Sequence, residues 1–241
     1  MNIAKQIEVK IKDFPLGATF GYSELDIPVE KFSTAAKAIE RLLKKGVIKK
    51  LAKGTFYKPE LTVFGELKPD ENTIIKPYLY ENNKRIAYIT GNLLYNQLGL
   101  TTQIPNQIKI ASSTKRIYIN KGLVKAKPVK SYVEVTEENY YILGLLDALK
   151  DFNTIPDLNN TEATKRIIFL IGELEEKQLQ NLIKYALKYP PRVRALLGAI
   201  LEFLKIKEQY QVLKDSLNPL TDYNYYIQVK DLPTIKKWNI K

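Results

Sequence analysis

The chain contains neither cysteine nor histidine. Without cysteine there is no disulfide, no thiolate metal ligand and no thiol nucleophile. Without histidine there is no Ser-His-Asp arrangement, no imidazole base and no histidine-containing zinc site. Proton and nucleophile work would fall to carboxylates, Lys, Tyr, Ser and Thr. No constellation of these marks a catalytic centre, so an enzyme is not expected, and neither a cofactor nor a metal is called for. A carboxylate site for a hard cation stays open in principle, with nothing arguing for one. There is no P-loop and no G-x-G-x-x-G, so a nucleotide cradle of those kinds is unsupported. No run of about 18 apolar residues occurs, so no membrane span is expected. The segment Met1 to Lys12 alternates charge with isoleucine and lacks the apolar stretch of a signal peptide. A cytoplasmic protein follows as the expectation.

What the chain does have is a core and a positive charge. Of its 241 residues 45% are apolar, and the formal charge is +12. A basic protein binds nucleic acid, an anionic surface or an acidic partner, or merely scatters solvated lysines. Clustering decides between them. Lys31, Lys37, Arg41, Lys44, Lys45, Lys49, Lys50, Lys53 and Lys58 face one acid, Glu40, across 31–58. That excess of eight is two-thirds of the chain's total, in about an eighth of its length.

The pattern around this cluster gives its local structure. Ile3, Ile7, Ile11 and Phe14 recur at helical spacing up to Pro15 and Gly17. Ala18–Phe20 reads as a short extended piece. Ser23 is expected to cap a brief helix that closes at Asp26-Ile27-Pro28. A third helix is predicted from about Val29 to Lys45, stopped by Gly46. Phe32, Ala35, Ala36, Ile39, Leu42 and Leu43 form its apolar stripe; Ser33, Thr34, Lys37, Ala38, Arg41 and Lys44 lie opposite. Strands at 47–51 and 55–58, joined by Ala52-Lys53-Gly54, complete a basic hairpin.

Three helices and a basic hairpin in that order read as a winged helix-turn-helix over 1–62. A helix fits the major groove of duplex DNA, and its N-terminal polar residues reach base edges. Ser33, Thr34 and Lys37 are the candidates there. Arg41, Lys44, Lys45, Lys49, Lys50 and Lys53 are placed for phosphates, which set affinity and register but do not read sequence. About six such contacts would weaken binding ~10³-fold between ~50 and ~200 mM salt. A winged helix used for protein contacts, its lysines only solubilising, is the competing reading.

The stretch from Ser33 to Tyr57 resembles the N-terminal module of AbiEi-type antitoxins, with Leu42-Leu-Lys-Lys-Gly46-Val-Ile48, a basic strand and Gly54-Thr-Phe-Tyr57. Tyr88 to Pro105, containing Gly99-Leu100-Thr101-Thr102-Gln103-Ile104-Pro105, is similar to their G-L-T-x-Q-x-P segment. Leu93 or Leu94 stands where those proteins usually have a small residue. The likeness spans about residues 1–130. It implies an antitoxin of a type IV toxin–antitoxin (abortive infection) pair that represses its own operon by binding its promoter. It further implies functional pairing with a nucleotidyltransferase-like toxin, without a stable complex.

Downstream, residues 61–70 read as a connector, and 70–241 as an α+β domain with a helical C-terminal half. Helices are expected at 70–82, 91–98, 137–150, 162–174, 176–189 and 191–207, and strands at 85–89, 107–111, 116–119 and 123–127. The stripes Leu196, Leu197, Ile200, Leu201, Leu204 and Leu179, Leu182, Ile183, Leu187 suit a core or a dimerising face. Arg192 and Arg194 suit an exposed cationic turn, or contacts with DNA or an acidic partner. Glu175-Glu176-Lys177, with Asp157 upstream, matches the E-x-K of restriction-like nucleases, but between two helices such residues are ordinary surface groups. Tyr140, Tyr141, Tyr223, Tyr225 and Tyr226 could stack on bases or simply pack. A solitary transcription factor whose second domain binds a ligand or dimerises, or a DNA-targeted enzyme, therefore stand as alternatives.

Overall fold

The computed structural model describes residues 2–52, 54–63, 65–67, 69, 71–121, 124–206 and 210–241. The architecture is α+β. Two compact units emerge, Met1–Tyr78 with Ile119–Lys125, and Leu79–Tyr118 with Ala126–Lys241. The division thus comes later than the expected 62–70 boundary, and a short segment returns to the first unit.

In the first unit the Asn2 side chain accepts from the Ala4 amide and opens α1 (Ile3–Asp13). Its Ile3, Ile7 and Ile11 are buried against α2 (Phe32–Lys44). Between them run β1 (Thr19–Gly21) and two single 3-10 turns, Ser23–Leu25 and Val29–Lys31. Ser23 is not a cap, contrary to expectation: its hydroxyl donates to Glu24, whose carboxylate also takes the Gly21 amide at 3.0 Å. The helix predicted from Val29 begins at Phe32, because the chain leaves Pro28 in a 3-10 turn. At its far end Gly46 adopts φ +70°, and the Gly46 and Val47 amides bond back to Leu43 and Leu42 at 3.1 Å each. That left-handed closure suits glycine, and it consumes Val47, so the strand expected from Val47 starts later.

β2 (Lys49–Ala52) and β3 (Thr55–Tyr57) form a bulged antiparallel hairpin, and β1 adds on the other side of β3, giving the order β1-β3-β2. The predicted connector is itself a hairpin, β4 (Glu60–Thr62) with β5 (Gly65–Leu67). A helix α3 (Glu71–Leu79) follows; Asp70, its expected cap, lies outside the described residues.

The second unit opens with a small hairpin, β6 (Tyr80–Glu81) and β7 (Lys84–Arg85), then β8 (Ala87–Thr90), α4 (Asn92–Gln97) and β9 (Ile108–Ser112). β10 (Ile119–Lys121) and the first residues of β11 (Val124–Lys130) belong to the segment that returns to the first unit; from Ala126 on, β11 lies parallel to β9, while β8 pairs with β9 antiparallel. The strand expected at 116–119 is displaced to 119–121. Ser112 accounts for this, since its hydroxyl oxygen takes the Thr114 and Lys115 amides and turns the chain away from the sheet.

Among the described residues five helices complete the unit: α5 (Tyr140–Asp151), α6 (Asn160–Gly172), α7 (Glu176–Ala186), α8 (Pro191–Phe203) and α9 (Gln211–Asp215), with a 3-10 segment at Pro233–Trp238. α5 packs against β8, α7 and α8, and its residues Ile142–Leu149 are all buried. A helix apolar on every side belongs at the centre of a core. The Leu179 and Leu196 stripes enter that core, apart from the half-exposed Leu187 and Leu204.

One carboxylate sits inside it. Asp147, 2% exposed, accepts from the Tyr88 hydroxyl at 2.9 Å, the Thr90 hydroxyl at 2.7 Å and the Lys150 ammonium at 3.1 Å. Beside it the Tyr95 hydroxyl donates to Asp151 at 2.7 Å. Burial, with the Asp147 and Asp151 charges adding to it, holds the Tyr88, Tyr95 and Tyr189 hydroxyls protonated far above the ordinary phenol range. Burial works against the charge on Lys150, yet the two carboxylates beside it win and raise its pKa. A buried charge so partnered is tolerable; stripped of partners it would not be.

Against α8 rests the ring of Trp238, close enough that a Cβ at Gly198 would lie 2.1 Å from two ring carbons. Trp238 is 2% exposed and its indole N–H donates to Glu202 at 2.8 Å, so the ring has little room to retreat. Gly198→Ala should therefore destabilise the protein by about 1–3 kcal/mol through overpacking, despite alanine's higher helix propensity. Urea unfolding followed by tryptophan fluorescence measures it; an unchanged or higher midpoint would contradict this packing.

Candidate nucleic-acid interface

The cationic cluster of the sequence maps onto one side of α2 and the adjoining hairpin. Ser33, Thr34, Lys37, Arg41 and Lys44 on α2, and Lys45 just beyond it, are all exposed. At 3.6 residues per turn they share one continuous arc of the helix. The buried side consists of Ala35, Ala38, Ile39 and Leu42. This is rotated from the expected stripe. Ala38, assigned to the exposed face, is 6% exposed, whereas Phe32, assigned to the core, is 48% exposed. The reason is α1, which meets α2 through Ala35, Ala38 and Leu42 and needs small residues for close approach, while Phe32 packs its ring 4.8 Å from that of Tyr22 near the start of the helix. Ala36 and Leu43, half-buried, line a groove of about 420 Å³ together with Phe32, Phe56, Glu40 and Lys50.

The cations differ in what they already hold. Among the described residues Lys37, Arg41, Lys45 and Lys50 have no ion-pair partner. Lys44 pairs with Glu40 one turn earlier, at 3.1 Å with both side chains exposed, an interaction of about 0.3–0.5 kcal/mol that a phosphate can displace. Lys49 is held by Glu66 of the β4–β5 hairpin. The same carboxylate accepts the Tyr57 hydroxyl, and burial first, then Glu66, pushes the Tyr57 pKa up to about 12. Lys49 is thus committed inside the protein, unlike its neighbours. Lys53 lies outside the described residues.

Lys58, counted in the cluster, is a structural cation. Its ammonium donates to the Lys12 and Phe14 carbonyls at 2.7 and 2.8 Å, satisfying acceptors that the end of α1 leaves open.

Other residues singled out by sequence mostly have internal roles, although Tyr141 and Tyr226 are exposed. The Arg192 guanidinium stacks over the Tyr225 ring at 4.6 Å, and Arg194 donates to the Ser216 carbonyl at 3.0 Å. Neither is the exposed cationic turn expected of them. Of the E-x-K sequence, Glu175 caps α7 in a reciprocal box with Gln178, and Glu176 accepts from Gln180 at 3.4 Å. Tyr223 and Tyr225 are buried, and Tyr140 lies under the Arg85 guanidinium at 3.8 Å. The Gly99–Pro105 segment anchors the end of α4: Leu98, Leu100 and Thr101 are buried, the Leu98 carbonyl takes Arg166, and Gln103 reaches Asp157. No three acidic side chains among the described residues come together to hold a metal ion. No helix among them is long and apolar enough to cross a membrane.

A family model described as "Family of unknown function (DUF6088)" matches residues 6–179, and the chain belongs to that family. Its fold is similar to that of the RV2827C protein from Mycobacterium tuberculosis, solved as a crystal structure. The TM-score is 0.56 at 10% identity, with 100% of this chain and 91% of that chain covered. At that identity the likeness is one of fold. Nothing among curated proteins matches the chain.

The distinction between structural and free cations is open to measurement. Lys58→Met should lower the melting temperature of the full chain, by an amount equivalent to about 1 kcal/mol, because one part-buried and one exposed carbonyl lose a charged donor. Lys50→Met should leave it within about 0.5 kcal/mol, as surface changes do. Thermal melts by circular dichroism compare the two; equal effects would remove the distinction.

Proposed function

We propose that the chain is a sequence-specific DNA-binding repressor, acting in the cytoplasm as the antitoxin of a type IV toxin–antitoxin pair. The observation that carries the DNA-binding part is the exposed arc of α2, on which Lys37, Arg41 and Lys45 lie with no acid paired to them among the described residues. The order α1, β1, α2, then the β2–β3 hairpin with β1 added to its sheet, supports reading the first unit as a winged helix-turn-helix. In that reading α2 enters the major groove with Ser33, Thr34 and Lys37 towards base edges. Arg41, Lys44, Lys45 and Lys50 contact phosphates, and so does Lys49 beside them; Lys53, assigned the same role from the sequence, lies outside the described residues. Lys49 does so only by exchanging Glu66 for a phosphate, which places it last in the order of contributions.

The antitoxin part rests on the resemblance of the 33–57 and 88–105 segments to AbiEi-type antitoxins. It brings autoregulation of the chain's own promoter and functional pairing with a nucleotidyltransferase-like toxin, without a stable complex. No catalytic role is assigned.

Electrophoretic retardation of the duplex upstream of the gene tests the first part. Lys37→Ala with Arg41→Ala should weaken binding at least tenfold. Each phosphate contact removed should also lower the slope of log affinity against log salt by about one. Affinity and slope both unchanged in a folded variant would sink the assignment of this face. Co-expression with the neighbouring reading frame, scored for rescue of growth, tests the second part.

A further inference from the structure

The second unit carries a basic region of its own. From Asn82 to Val133 the sequence contains nine lysines and arginines, seven of them in the second unit, and not one acidic residue, a signal readable from sequence alone once acids are counted rather than cations. At the ends of the parallel strands β9 and β11 this region opens into a cleft of about 550 Å³, lined by Ser112–Arg116, Tyr118, Pro128, Val129 and Lys130. Such a volume suits a small ligand.

The cleft has the two chemistries a nucleotide requires. Residues 116–120 alternate in burial, so Arg116 and Tyr118 are exposed while Ile117 between them is buried. Tyr118 is 68% exposed, a large aromatic face left in water beside a guanidinium. Lys130, at the end of β11, is an exposed lining residue of the same cleft, and among the described residues neither it nor Arg116 has an ion-pair partner. Lys115 differs, being paired with Glu81. The floor is preorganised: Ser112 donates to the Ile86 carbonyl at 2.7 Å while its oxygen holds the Thr114 and Lys115 amides. This leaves the Ser113 side chain at the surface on a fixed turn. Further along the same strands Lys109 and Lys127 stand directly opposite each other in register. Like charges so placed repel, and a neighbouring phosphate removes that cost.

We propose that this cleft binds a nucleotide unit, with its phosphate between Arg116 and Lys130 and its base stacked on Tyr118. A free nucleotide and a residue of a single-stranded nucleic acid share that chemistry. Duplex DNA does not, because its bases are stacked away from a side-chain platform. The site is independent of α2, and it stands or falls separately from the repressor reading.

The test uses the full chain carrying Lys37→Ala and Arg41→Ala, so that α2 contributes little. Fluorescence anisotropy is read with a labelled single-stranded 12-mer, with ATP as unlabelled competitor. Saturable binding is expected. Tyr118→Ala should weaken it about tenfold, as loss of one stacked base does, with recovery in Tyr118→Phe, which keeps the ring. Arg116→Ala with Lys130→Ala should weaken it at least as much, while leaving retardation of the promoter duplex by the otherwise native chain unchanged. Competition by ATP assigns the site to a free nucleotide; oligonucleotide binding that ATP does not displace assigns it to a single strand. Absence of saturable binding to either, or binding that Arg116→Ala with Lys130→Ala and Tyr118→Ala leave intact, overturns the proposal.

Discussion

Everything proposed for the first unit depends on how α1 grips α2. A helix whose exposed arc is lysine and arginine repels itself along its length, and i to i+4 cations cost a few tenths of a kcal/mol each. What holds it is a narrow strip, Ala35, Ala38, Ile39 and Leu42, buried against Ile3, Ile7 and Ile11. Two of the four are alanines, so the backbones come close and the strip stays narrow. The rest of the circumference is released to solvent. Gly46 then ends the helix abruptly enough that Lys45 sits at its tip and the hairpin folds back beside it.

The sequence made the helices legible, and most of the sheet positions, because apolar spacing of 3.6 or 2 survives in almost every element. It was less clear where tertiary contacts override local pattern. Ala38 could not be told from Lys37 or Arg41 as a surface position, since alanine is neutral to burial and only α1 decides. The 61–70 stretch, rich in turn formers, hides a hairpin whose strands are three residues each, too short for a period to register. Arg192 and Arg194 appeared exposed because they follow Pro191, and the partners that absorb them, Tyr225 and Ser216, lie 22 residues or more away. For the candidate interface, the position of the cations was readable and their availability was not. That Lys58 bonds carbonyls and Lys49 is held by Glu66 follows from contacts across 46 and 17 residues.

Charge is more unevenly distributed than a single cluster suggests. The stretches 31–58 and 82–133 carry excesses of eight and nine, which together exceed the chain's +12, so the remainder is net acidic by five. Two basic fields on an otherwise acidic protein favour specific placement of a polyanion over indiscriminate adhesion, because the acidic surface repels what the basic fields attract. The buried carboxylate of Asp147 belongs to neither field. It joins α5 to β8 through Tyr88 and Thr90, a polar tie in an otherwise apolar centre.

The seating of Trp238 on Gly198 also constrains how this sequence can diverge. A ring that fills the place of a side chain makes the two positions one volume shared between α8 and a later segment of the same unit. Relatives that enlarge position 198 must shrink or rotate the residue at 238. The two columns should consequently drift as a pair, whatever happens to the basic surfaces elsewhere.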